Sequence, residues 1–193
     1  MQDFWLYFQL GFEHIADLAG YDHIIFVLAL CLRYTIDDWK RIVVLITAFT
    51  IGHSITLALS TLNYINVSAE WIEFLIPVTI VITALSNIRQ KEFRFRTRFP
   101  PIYFLALFFG LIHGLGFSNY LKSLLGKDTN IIAQLLAFNL GLEVGQLLIV
   151  ALVLIVSLIC IRFLNFQRRE YLLYGSGAVF GIALIMALER FPK

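Results

Sequence analysis

The chain has 193 residues, 60% of them hydrophobic and 15% charged, with 18 Phe and a formal net charge of +2; its mean hydropathy is +0.82. So little polar surface cannot coat a soluble globule of this size, which excludes a cytosolic or secreted globular domain and indicates an integral membrane protein. The near-neutral balance also gives no reason to expect nucleic acid as a partner.

Met1 to Glu13 carries no Lys or Arg ahead of the apolar run, so it lacks the basic n-region of a cleavable signal peptide and the start reads as mature. Residues 3–18 are apolar but interrupted by Gln9, Glu13 and Asp17, which suits an interfacial or re-entrant helix. Six spans follow, each near the roughly 20 apolar residues a crossing needs. They cover 20–34, which is short, then 40–62, 67–89, 99–122, 131–163 and 169–191. Polar or charged punctuation separates them at Thr35–Asp38, Asn63–Ser68, Arg89–Arg98 before Pro100 and Pro101, Gly126–Asn130 and Asn165–Glu170. The expected fold is an all-α polytopic transmembrane helix bundle, one integral membrane domain over residues 1–193 with no internal repeat. Cys31 and Cys160 sit alone in apolar runs and form no disulfide framework.

Basic residues divide by side. Arg33, Lys40, Arg41, Arg89, Lys91, Arg94, Arg96, Arg98, Arg162, Arg168 and Arg169 make eleven of the fifteen, all in the odd-numbered loops. Lys122, Lys127, Arg190 and Lys193 fall on the other side. The positive-inside bias therefore puts the odd loops in the cytoplasm and both termini outside, with a bacterial inner membrane as the expected location.

All four histidines, together with Asp22 and Glu143, lie in or beside these spans. An ionisable group in hydrocarbon costs about 2.5–3.5 kcal/mol even on the gentler insertion scale, so such residues are usually kept for function. His53 and His113 lie roughly 20 Å above the cytoplasmic starts of their spans, and His23 and Glu143 enter from the other side, so the set shares the outer half of the bilayer. The set reads as a metal site with His14, Asp22, His23, His53, His113 and Glu143 as candidate ligands. On one unbroken helix His14 and His23 would point about 180° apart, so sharing an ion requires a break, for which Gly20 is the natural place.

Around these ligands, Thr50 and Ser54 flank His53, while Asn139, Glu143 and Gln146 form one stripe on the fifth span, so Thr50, Ser54, Asn139 and Gln146 are expected to orient ligands from outside the coordination sphere. Gly110 and Gly114 surround His113, and Gly141 and Gly145 form a second seam; small residues of this kind let helices pack closely with or without a metal. Glu70 and Glu73 at the outer entrance of the third span either are simply solvated or form a carboxylate vestibule that would concentrate cations. Gly177 and Gly181 in the last span read as packing.

The ordered segments GFEHI, GYDHIIFVLAL, FTIGHSITLAL, ALSN, FGLIHGLGFS and FNLGLEVGQ resemble the HupE/UreJ family of small membrane proteins over nearly the whole chain. Members are described as nickel or cobalt permeases supplying hydrogenase and urease, with a His-rich first span and a later His-Gly motif implicated in transport. The resemblance implies roles for His14, Asp22, His23, His113 and Gly114. This chain spaces His14 further from Asp22 and His23 than the permease pattern does, and it has no Glu soon after HGLG.

Two functions fit one site. A transition-metal permease would use imidazoles and carboxylates to hold a divalent ion such as Zn or Ni, and it predicts a polar path inward, for which Thr47, Thr83, Ser86, Asn87 and Ser157 are the scattered candidates. A membrane-embedded metalloenzyme would use a three-histidine zinc to activate water, with Glu143 as general base or fourth ligand, on a lipid or lipid-linked substrate. The expected partners are the metal ion and membrane lipids, and a homo-oligomer is left open.

Overall fold

The computed structural model describes residues 2–18, 20–91, 93, 100–124 and 131–192. Arg94, Arg96, Arg98, Lys127 and Lys193, which entered the charge partition, lie outside the described residues. Among those described there are seven α-helices and no strand: α1 (Gln2–Ala16), α2 (Asp22–Cys31), α3 (Trp39–Thr61), α4 (Ala69–Arg89), α5 (Pro101–Leu124), α6 (Ile131–Leu158) and α7 (Arg168–Glu189). The protein is an all-α polytopic bundle. Five of the six expected spans are helices long and apolar enough to cross a membrane.

The exception is the first. Only Asp22–Cys31 is helical, 10 residues or about 15 Å, half of a ~30 Å hydrocarbon core. The chain breaks between α1 and α2, as the need to turn both His14 and His23 inward requires. Nor does α1 lie flat across the bundle. Gly11 sits under the backbone of Phe138, Gly141 under that of Phe8, and Gly145 beside Phe12 and Ile15, so α1 runs along α6 in the same direction. Eight residues of α2 are buried, including Asp22 and His23, which makes it a central strut and α1 its peripheral continuation.

Local signals set the remaining boundaries. Thr35 and Asp38 form a reciprocal cap just before α3, and Gln167 and Glu170 do the same at α7. Pro101 occupies the first turn of α5, where a missing N–H costs nothing. Asn63 and Asn165 adopt left-handed φ values of 62° and 56° just past helix ends, a conformation asparagine tolerates better than other side chains. Pro77 lies inside α4 and removes the amide that would bond to the Glu73 carbonyl.

Backbone contact at glycine draws the helices into pairs. Gly52 meets Leu107, Gly110 meets Phe49, and Gly114 meets His53, each so closely that a Cβ would collide with the facing carbonyl oxygen, so α3 and α5 lie side by side in parallel register. α4 and α7 run antiparallel, with Phe74 against Phe191 at one end and Arg169 donating to the carbonyls of Ile88 and Gln90 at the other. Gly177 and Gly181 meet nothing within 4 Å, so among the described residues the expected seam in the last span packs against no other helix. Among the described basic residues, the start of α3 and α7 and the ends of α2, α4 and α6 carry Arg33, Lys40, Arg41, Arg89, Lys91, Arg162, Arg168 and Arg169. Lys122 and Arg190 sit at the opposite end.

Candidate metal centre

The four histidines come from four helices and converge. Ring centroids are 4.6 Å apart for His14 and His23, 6.1 Å for His14 and His53, 6.2 Å for His23 and His53, and 5.1 Å for His23 and His113. One ligand nitrogen each from His14, His23 and His53 lies within 4.8 Å of the other two. His53 and His113 are 0% exposed and His23 5%. Depth explains part of this: His53 and His113 lie well inside α3 and α5, while His14 and His23 flank the break between α1 and α2. The glycine contacts explain the rest: they press α3 onto α5 and α1 onto α6, which brings otherwise separate imidazoles together.

The donor chemistry suits a cation. Buried ring nitrogens without a hydrogen-bond partner include Nε2 of His14, Nε2 of His23, both nitrogens of His53 and Nδ1 of His113. Buried polar atoms are normally satisfied, so these unpartnered imidazole nitrogens mark the cluster as a place that could hold a cation. Asp22 Oδ1 lies 3.2 Å from His23 Nδ1 and accepts from the His23 backbone amide at 3.0 Å. Its other oxygen accepts from Arg190 Nη1 at 3.0 Å. Asp22 therefore orients the His23 ring and leaves Nε2 as the outward lone pair, as carboxylates commonly do behind a metal-binding histidine. Phe117, tilted against the His14 ring with centroids 4.0 Å apart, and Phe26, 4.8 Å from His113, wall the cluster with apolar surface.

A cavity of about 1020 Å³ leads from the cluster toward the Arg190 end of the bundle, lined by His14, Asp22, His23 and His113 and by Glu13, Asp17, Glu73, Tyr120 and Arg190. Glu73 lines this cavity, whereas Glu70 is not among the lining residues.

Other candidate residues are placed elsewhere. The Glu143 carboxylate accepts from Thr47 Oγ1 at 3.0 Å, and Glu143 is not among the residues whose ligand atoms converge. The reason lies in the helix it faces: Thr47 is six residues before His53 on α3, roughly 9 Å along the axis. Thr50 donates to Gln146 Oε1 at 2.8 Å, Ser54 to the Thr50 carbonyl at 2.7 Å, and Asn139 to the Leu135 carbonyl at 2.8 Å. These bonds tie α3 to α6 or a helix to itself, and none of them reaches an imidazole. Gly110 and Gly114 do flank His53 and His113, and Gly141 and Gly145 hold α1.

Two residues beside the cluster were missed in the sequence. Thr79 Oγ1 is 3.0 Å from His113 Nε2, and its only sequence signal is the Thr79–Thr83 spacing on one helix face. Arg190, counted there only as a charge marking a side, is the partner of Asp22.

A family described as HupE / UreJ protein matches residues 1–190. No curated protein and no solved structure matches the chain.

Proposed function

This chain belongs to the HupE/UreJ family, and from that membership and the buried histidines we propose that it is a membrane permease for a divalent transition metal ion, of the nickel, cobalt or zinc type. The observation that carries the reading is the approach of His14, His23 and His53, whose ligand nitrogens lie within 4.8 Å of one another. Imidazole donors suit these borderline ions, and an all-nitrogen set without thiolate disfavours a site built for softer copper(I). His113 supplies a fourth imidazole beside His23. Asp22 acts from behind His23.

The basic end of the bundle, carrying Arg33, Arg41, Arg89 and Arg168, faces the cytoplasm under the positive-inside bias. The cavity then opens outward, both termini are outside, and the protein takes up its cation from the outer side of a bacterial inner membrane. The enzyme reading is weakened by Glu143, because the carboxylate expected to serve as general base is bonded to Thr47.

Metal analysis of the detergent-purified protein tests the proposal, alongside uptake by cells expressing wild type or the His53→Ala, His113→Ala double variant. Wild type is expected to hold nickel or zinc and to accumulate it. The double variant should lose both properties. A wild-type protein that binds no transition metal and supports no uptake would overturn the reading.

A further inference from the structure

On the far side of the histidines from the cavity, α4 carries a row of buried polar side chains. Thr79, Thr83 and Asn87 are spaced four apart on one face of the helix and are 2%, 1% and 0% exposed. The row starts at the metal centre. Thr79 Oγ1 lies 2.7 Å from the Ile76 carbonyl oxygen and 3.0 Å from His113 Nε2. The other ring nitrogen, His113 Nδ1, is buried without a partner. Thr83 donates to the Thr79 carbonyl at 2.8 Å, which leaves its oxygen as an acceptor.

The row ends at Asn87, about 12 Å from Thr79 along the helix axis. There the Asn87 amide donates to the Ala29 carbonyl at 2.7 Å, and its carbonyl oxygen accepts from Arg33 twice, from Nε at 2.9 Å and from Nη2 at 2.6 Å. Arg33 is only 7% exposed. Its remaining side-chain partner is Ser86, at 3.1 Å from Nη2, and no carboxylate among the described residues forms an ion pair with it. A buried guanidinium is ordinarily matched by a counter-ion, since desolvating it is costly. Here it is held by neutral groups at the end of a polar row. A buried positive charge in a low-dielectric bundle strongly repels a divalent cation.

We propose that Thr79, Thr83 and Asn87 line the way by which the cation leaves the histidine centre, and that Arg33 is the charge barrier that closes it. The inference rests on the permease reading. Arg33 acts as a tethered competitor: it occupies the Asn87 carbonyl oxygen that a departing ion would use, and exit requires the guanidinium to move aside. Hydroxyl and amide oxygens bind such ions more weakly than imidazole, as release demands.

The test uses full-length wild type, Thr83→Val, Arg33→Gln and Arg33→Lys in liposomes with a trapped fluorescent chelator and nickel(II) added outside. Nickel retained by the purified proteins is measured in parallel. Thr83→Val keeps the shape and removes the oxygen, and it should slow uptake about three- to tenfold, the range for losing one polar contact. Arg33→Gln should speed uptake by a similar factor, Arg33→Lys should stay near wild type, and all should retain nickel. Thr83→Val decides the path and Arg33→Gln the barrier, and a folded Arg33→Gln that takes up nickel no faster than wild type would overturn the barrier. Wild-type uptake unchanged in Thr83→Val would overturn the path while leaving the permease standing. A nickel-loaded wild type with no uptake would overturn the permease reading and the path with it.

Discussion

Gly114 and His53 meet backbone to backbone: a Cβ at position 114 would overlap the His53 carbonyl oxygen. Gly110 stands in the same relation to Phe49. The helix carrying His113 thus lies as close to the helix carrying His53 as two backbones allow, and the convergence of the two imidazoles depends on that approach.

Gly114→Ala should force α5 away from α3, costing about 1–3 kcal/mol as overpacking usually does, and should lower the metal content of the purified protein. Gly177→Ala is the matched control, since nothing lies within 4 Å of that position. Thermal unfolding in detergent and metal analysis of both variants check this. Equal effects of the two changes would contradict the role given to the α3–α5 contact.

Asp22 touches His23 with one oxygen and Arg190 with the other. Asp22→Asn should weaken metal binding about 10- to 100-fold without unfolding the protein, the usual cost of losing an orienting carboxylate. Arg190→Gln should cost less, because the Asp22–His23 contact survives it. Competition against a chromophoric chelator measures both affinities, and a larger loss for Arg190→Gln would reverse the roles assigned here.

Glu143→Gln should leave metal content near that of wild type, since the carboxylate is bonded to Thr47 and stands apart from the converging histidines. The neutral amide can keep the Thr47 hydrogen bond. Elemental analysis after extensive dialysis is sufficient, and loss of the ion would return Glu143 to the ligand set.

Orientation is open to cysteine labelling in a Cys160→Ser background, with Cys31 buried. Tyr64, 77% exposed between α3 and α4, should react as Tyr64→Cys with an impermeant reagent in intact cells. Lys91→Cys, just past α4, should react only after permeabilisation. The opposite pattern would invert the bundle and make its cavity face the cytoplasm.

Much of this was legible before any coordinates. Hydrocarbon tolerates few charges and requires backbone hydrogen bonds within the helix, so span positions and the all-α fold follow from where apolar runs and polar punctuation fall. Depth is also one-dimensional, at a fixed rise per residue, which is why His23, His53 and His113 could be set at a common level. The break between α1 and α2 was implied by the nine-residue spacing of His14 and His23.

The sequence by itself thus determined the class, the approximate spans and the shared depth of the histidines. Rotation about each helix axis and choice of neighbour were decided only in the tertiary structure. Long spans that are apolar on nearly every side carry no polar face to say which way they turn. That was settled by Gly52, Gly110 and Gly114 against α3 and α5, and by Gly11 and Gly141 between α1 and α6, where bare backbone permits only one close approach. The same packing turned Glu143 toward Thr47, set Thr79 against His113 and closed Asn87 over Arg33.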